Sequence, residues 1–466
     1  MTSLGILFAC HYNAIVGHSQ PLFNIRFTNM AFDEVTLLKR DHQYLWHPCS
    51  QMKDYEQFPP AEIIKARGST LYLKDGHTVI DAISSWWCKS LGHNEPRLKQ
   101  ALLAQMEKFE HVLLANTTNE TIVNLSEKLA QLCDPLNKCF YASDGSSSVE
   151  IALKMSLHSR AIRGQKKRNQ FLALEQGYHG ETLGALSVSD LKLYRLPYEP
   201  LLFKSHFIGP LPYVSGINDP LWHDCSAYWP DIETSLQPYT KTATALICEP
   251  IMQGAAPMKI YSADLLKRLR AWCSTHDIHL IADEIMTGIG RTGKMLACEH
   301  AGITPDFLCL AKGLTSGWLP LSVVMTHHDI YQLFYDDHKT GKAFLHSHTH
   351  SGNALAASIA VEVLNIMEQE NICQKAVILG NHMLAAMQDI AHTTGKLKDI
   401  RQLGAMVAAD FTATQGKRWG FEIAQRAFKL GALLRPIGNT LYWLPPLNMP
   451  LNQVDELKAI TQQALS

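Results

Sequence analysis

The sequence predicts an α/β fold: a large domain with a mainly parallel sheet flanked by helices, plus a small α+β domain built from both chain ends. Three observations carry this reading. Between about 138 and 330, apolar β-type runs alternate with helical patterns. The runs are continuous rather than alternating, as expected where helices cover both faces of a sheet. Several of them end in a charged or polar residue, at the edge where open α/β sheets present side chains to a ligand.

The elements follow in order. Residues 1–29 hold a short apolar patch with no basic start and no cleavage site, so they are expected to be a loose extension rather than a signal peptide. Residues 30–90 form the N-terminal part of the small domain, where "STLYLKDG" and "HTVIDAI" read as short strands with a turn at Asp75-Gly76. Residues 91–355 form the large domain, with strands at 138–143, 170–176, 244–250, 279–285, 307–312 and 321–327. Helices are expected over 146–161, with Val149, Leu153 and Leu157 on one face, and over 262–276. Residues 356–466 complete the small domain, entered through a long helix over 354–370.

Composition limits the function. The chain has 466 residues, more than one compact core accommodates. A net charge of −1 gives no electrostatic footprint for nucleic acid or an anionic membrane, so a small molecule is the expected partner. Eleven cysteines without a CxxC pair read as free thiols of a reducing compartment, the cytoplasm, and not as a disulfide framework or zinc site. No apolar run approaches the roughly 20 residues of a membrane helix.

The polar residues at strand ends are the candidate site. Gly145 and Ser146 open a helix, and free N–H groups there favour an anion such as phosphate. Plain capping by Asp144 or Ser146 explains the same stretch. "GYHGET" (177–182) brings Tyr178, and Glu249 follows "ALIC". Asp283 ends "HLIAD", with Ile285 on the same side of an extended chain, so Tyr178 and Ile285 can make a slot for a flat ring, or each be ordinary core. Lys312 follows four apolar residues; a desolvated lysine is a nucleophile toward carbonyls, while a buried Asp283–Lys312 salt bridge explains both ions without catalysis. Together these parts match pyridoxal 5′-phosphate: an anion site, a slot, a carboxylate for the ring nitrogen and an amine for the aldehyde.

"LIADEIMTGIGRTGKMLACEH" followed by "PDFLCLAKGLTSGWLPLSVV" resembles the signature of the class III aminotransferases, and the resemblance runs from about Phe32 to the C-terminus. It implies fold type I of the pyridoxal-phosphate-dependent transferases. "YLWHPCSQM", "DAISSWWCKSLGHNEP", "GYHGETLGALSV" and "LLRPIGNTLYWLPP" are similar to the branch of biotin biosynthesis. That branch aminates 8-amino-7-oxononanoate to 7,8-diaminononanoate, with S-adenosyl-L-methionine as the usual donor.

The resemblance implies roles. Lys312 would bond the cofactor, Asp283 pair with its ring nitrogen, and Tyr178 and Ile285 sandwich the ring. Gly145 and Ser146 would hold the phosphate, and Thr349, with His348 beside it, would reach the phosphate of the neighbouring subunit, so that a homodimer shares its active sites. Trp86 and Trp87 would line the substrate pocket, Arg435 receive the substrate carboxylate, and Arg291 stand beside the pocket. Three departures bear on selectivity: Cys49 stands where some relatives carry tyrosine, Glu181 where aspartate is expected, and Ser347-His348 where Gly-Pro is expected.

His346, His348 and His350 alternate but lack further ligands at a recognisable spacing, so no metal is expected. Within the family, a transaminase of lysine, ornithine, a diamine or an ω-amino acid is the alternative; Trp86-Trp87 and the Arg435 segment argue against it. An aminomutase would need no separate donor, and a non-catalytic binder would need no Lys312. The chain has no GxGxxG placed for a nucleotide dehydrogenase.

Overall fold

A computed structural model describes residues 36–412 and 418–466. The expected extension over 1–29 lies outside the described residues. The chain divides into two compact units, one ending at Ala61 and one spanning Glu62–Ser466. The first contributes a helix over Leu37–Tyr44, capped by Thr36, whose side chain accepts from the Lys39 amide.

The second unit is organised around a seven-stranded sheet. Its strands are β1 (Lys138–Ala142), β2 (Gln170–Leu174), β3 (Ser205–Ile208), β4 (Ala243–Cys248), β5 (His279–Asp283), β6 (Phe307–Leu310) and β7 (Ser322–Thr326). They lie in the order β1-β7-β6-β5-β4-β2-β3. Strands β3, β2, β4, β5 and β6 pair in parallel. Strand β7 runs against both neighbours, which leaves β1 parallel to the rest. The C-terminal ends of β1, β2, β4, β5 and β6 therefore share one edge.

Both faces are buried, which is why the strands read as unbroken apolar runs. Phe171, Ala173, Ile247, Ile281 and Phe307 pack on helix α1 (Gly145–Ile162). Their neighbours Leu172, Leu174, Leu246 and Leu280 pack on helix α2 (Ala263–Thr275). Leu308 and Leu310 meet helices α3 (Ala354–Gln369) and α4 (Ile372–Thr394). Two details differ from expectation. Helix α1 buries a wider face than foreseen, from Ser147 to Arg160, while Leu157 is exposed. Strand β3 has no unbroken apolar run to announce it; it forms because β2 offers a parallel partner.

Smaller sheets tie the two ends of this unit together. Ile63–Arg67, Thr70–Leu73 and Thr78–Asp81 form an antiparallel meander, and Ala432–Leu433 joins it in parallel, Leu433 opposite Asp81. Leu397–Gln402, Val407–Phe411 and Thr440–Trp443 form a second antiparallel sheet. The Leu444 amide donates to the Ala82 carbonyl at 2.7 Å, so segments more than 350 residues apart in sequence meet just before Trp86. No helix among the described residues is long and apolar enough to cross a membrane.

Candidate active site

Helix α1 starts one residue after Asp144, whose carboxylate accepts from the Ser147 amide at 3.0 Å and the Ser147 hydroxyl at 2.7 Å. This cap takes Ser147 and leaves the amides of Gly145 and Ser146 directed past it. Capping and anion binding are thus compatible: they use different donors. Small residues allow close packing around these amides. A Cβ on Gly145 would lie 3.0 Å from Ile285, and one on Gly180, at φ +123°, would strike the Ser146 hydroxyl. The Glu181 amide donates to that hydroxyl at 3.3 Å.

Asp283 closes β5 and is buried. It accepts from the Ile285 amide at 3.1 Å and pairs with His179 Nδ1 at 2.8 Å. His179 is itself buried and its Nε2 has no hydrogen-bond partner, so its described contact is with Asp283. Glu284, the next residue, points the opposite way, as alternation along a strand requires. It accepts from the amides of Ala297 and Cys298 at 2.6 and 2.8 Å and is a structural carboxylate. Glu249, at the end of β4, accepts from the Tyr178 and Gly254 amides at 3.0 and 2.9 Å. Burial pushes the carboxyls of both Glu249 and Glu284 up to about 7. The Tyr178 hydroxyl donates to Glu181 at 2.9 Å.

Lys312 begins a short 3₁₀ turn directly after β6, in left-handed backbone at φ 43°. Among the described residues it forms no ion pair with Asp283. Its ammonium lies 4.9 Å from the centroid of the Trp87 ring instead. Desolvation lowers its pKa from the usual lysine range, and Asp283 and Glu249 only partly oppose this. The chain thus holds an amine biased toward its neutral, nucleophilic form.

Trp87 and Trp86 form a wall beside this amine. The Trp87 indole N–H donates to the Tyr442 hydroxyl at 3.0 Å, and Gly254 leaves room for the ring, since a Cβ there would lie 3.1 Å from it. The guanidinium of Arg435, an exposed residue, lies 4.3 Å from the centroid of the Trp86 ring. Arg291 has a different setting. It is buried and donates to the carbonyls of Ala405 and Pro445 at 2.9 and 2.8 Å and to the Ser84 hydroxyl at 3.4 Å. Desolvation lowers its pKa to about 9.

The remaining expected residues of the second unit have other described settings. Ser347 and Thr349 are exposed on the segment that precedes α3, and the Thr349 carbonyl bonds His111 Nε2 at 2.8 Å. His348 Nε2 lies 3.2 Å from His346 Nε2, and the His346 ring in turn meets Lys154 of α1. No group of three potential metal ligands occurs among the described residues. Cys49 belongs to the first unit, where it is exposed at φ 50°. Two contributors were not singled out by sequence reasoning. Tyr442 lay inside the quoted "LLRPIGNTLYWLPP" stretch, and Asp81 ends the apolar run "HTVID", the same signature that marked Asp283.

Residues 51–465 match the family model of the class III aminotransferases. The chain belongs to the class III aminotransferases. Within the family it is similar to proteins named adenosylmethionine-8-amino-7-oxononanoate aminotransferase. That of Helicobacter pylori is 43% identical over 90% of this chain and 94% of its own length. That of Aquifex aeolicus is 36% identical over 89% and 94%. Among solved structures, the enzyme of that name from Methanocaldococcus jannaschii superposes with a TM-score of 0.85 at 31% identity, covering 92% of this chain and 98% of the other. An amine transaminase from an uncultivated Pseudomonas species, in a pyridoxal-phosphate-bound form, gives 0.82 at 28% identity, covering 91% and 98%. The α/β class and fold type I follow. So does an aminotransferase with the class III architecture.

Proposed function

We propose that this aminotransferase uses pyridoxal 5′-phosphate to convert 8-amino-7-oxononanoate to 7,8-diaminononanoate in biotin biosynthesis, with S-adenosyl-L-methionine as donor. The observation that carries the reading is the two-indole wall. An amine stands 4.9 Å from one ring and a guanidinium 4.3 Å from the adjacent one. A substrate with a carbonyl at one end, a carboxylate at the other and an apolar chain between is complementary to that wall.

The residues present fit the cofactor. The Gly145 and Ser146 amides at the start of α1, with Gly180 packed closely on Ser146, suit a phosphate. Tyr178 and Ile285 suit a ring, and Asp283 a ring nitrogen that must stay protonated. Bound pyridoxal phosphate supplies an electron sink that makes the amine-bearing carbon of a substrate acidic. The chain's own groups do the rest. Lys312, whose ammonium form desolvation disfavours, moves a proton off that carbon and returns it, as base and then acid. His179 holds Asp283 in place. Arg435 orients the acceptor through its carboxylate, and Glu181, bonded to Tyr178, helps orient the donor. Arg291 braces the segment before the tryptophans from its buried carbonyl contacts. Two substrates use one pocket in turn, so kinetics are ping-pong.

Ser347, His348 and Thr349 are assigned to the site of a second copy, a reading supported by the exposure of Ser347 and Thr349 here; the active form is then a homodimer. Cys49 stays a candidate for substrate contact on resemblance alone. The division into a large domain over 91–355 and a small domain from 30–90 and 356–466 is part of this proposal, as is a cytoplasmic location. The test is a single half-reaction. S-adenosyl-L-methionine alone should remove the visible absorption of the cofactor-loaded protein, and 8-amino-7-oxononanoate should restore it. Response to lysine alone would change the donor, and response only to an ω-amino acid would overturn the substrate assignment.

A further inference from the structure

The turn that presents the tryptophan pair is strained, and one buried carboxylate holds it. Ser84, Ser85 and Trp87 all have left-handed backbone, at φ 52°, 57° and 63°. Ser85, at φ 57° and ψ −92°, lies near the rare γ-turn conformation. Non-glycine residues in such regions persist only where surrounding contacts over-determine them. Here the contacts converge on Asp81, which is fully buried. Its Oδ1 and Oδ2 accept from the Ser85 amide at 2.9 and 2.8 Å, Oδ2 from the Ser85 hydroxyl at 3.2 Å, and Oδ1 from the Ile83 amide at 3.3 Å. His93 Nε2 pairs with Oδ2 at 2.8 Å from the far side. The Ser84 hydroxyl donates to the Leu444 carbonyl at 2.8 Å, which fastens the other end of the turn.

We infer that Asp81 is a positioning residue for substrate recognition: it holds the Ser84–Trp87 turn in its strained form and so aims Trp87 at Lys312 and Trp86 at Arg435. Among the described residues, the hydrogen bonds of Asp81 go to Ile83, Ser85 and His93 and not to either tryptophan ring. Asp81 acts through backbone that a relaxed turn would redirect, and the wall between amine and guanidinium would then come apart. The inference rests on the substrate reading above for its kinetic consequence but not for its structural one.

The test uses the full-length, cofactor-loaded enzyme and Asp81→Asn, which keeps the volume and one acceptor. Expected is a rise of about tenfold in KM for 8-amino-7-oxononanoate with kcat changed by less than about twofold. Amide exchange should accelerate by about tenfold or more at residues 85–88 and stay unchanged in the central sheet. Ser85→Gly added to Asp81→Asn should recover much of the lost KM, because glycine reaches this backbone without strain. A fall in kcat at unchanged KM, or exchange accelerated equally throughout the sheet, would show a merely structural role and overturn the inference. If the wild-type protein fails to turn over 8-amino-7-oxononanoate, the functional reading fails, and local exchange at 85–88 decides the role of Asp81 by itself.

Discussion

The floor and the wall of this site are built in different ways. The floor is made of strand ends: Asp283 stops β5, Lys312 follows β6, and Gly145 opens α1 after β1. Each residue is placed by a regular element whose own backbone bonds fix it. The wall is made of an irregular turn at Ser84–Trp87 and the segment around Arg435, brought together by the pairing of Leu433 with Asp81 and of Leu444 with Ala82. In the proposed reading the floor carries the proton chemistry and the wall selects the substrate. The difference suggests that reaction type is secured by local structure, whereas selectivity depends on contacts between distant segments.

That contrast can be broken most sharply at Lys312. Lys312→Ala should lower turnover by more than about a thousandfold while leaving the fold intact, since both base and nucleophile are lost. Near-normal steady-state activity in that variant would sink the scheme. Asp283→Asn comes next. It should cost roughly a hundredfold in kcat and leave His179 without its charged partner. Paired single-turnover and KM measurements should place this loss in chemistry and not in binding.

Arg435→Ala probes the wall. It should raise KM for the carboxylate-bearing acceptor by roughly ten- to a hundredfold, with little change in the half-reaction with S-adenosyl-L-methionine. An equal effect on both half-reactions would remove the distinction between floor and wall. Gly180→Ala tests the close packing at the edge of the floor. The added Cβ meets Ser146 and the backbone stays at φ +123°, so stability should fall by about 1–3 kcal/mol, with weaker phosphate affinity by equilibrium titration.

A separate effect concerns pH. Glu249 and Glu284 ionise near 7 in the folded chain, against 4.5 ordinarily. Between these values the folded state holds more protons than the unfolded state, so stability falls as pH rises from about 4.5 to 7. Each group accounts for roughly 3 kcal/mol of that loss. Glu249→Gln should remove its share, and denaturant unfolding of the cofactor-free protein at several pH values measures it.

Much of the floor was legible in the sequence because its signals are local. An unbroken apolar run ending in Asp283 or Lys312 already states that a charge sits at a buried strand end, and a Gly-Ser start states an open helix terminus. Strand β3 escaped because its stability comes from its neighbour. The wall left only partial traces. Trp86, Trp87 and Arg435 stood out through family resemblance, but their stacking depends on a meeting of residues 81–87 with residues 433–444 that no local pattern encodes. Arg291 shows the same limit: family resemblance set it beside the pocket, and only its buried surroundings show its bonds to the Ala405 and Pro445 carbonyls.

The sequence by itself determined the fold class, the alternation of strands and helices along the chain apart from β3, and the chemical identity of the groups at the sheet edge, because hydrophobic period and strand-end charges are properties of short windows. Only the tertiary structure decided which groups act together. It paired Asp283 with His179 rather than Lys312, set Lys312 over Trp87, and placed Asp81 beneath the turn that carries both tryptophans. Those choices turn on distances between segments far apart in the chain, where packing and desolvation, not local propensity, set the energy.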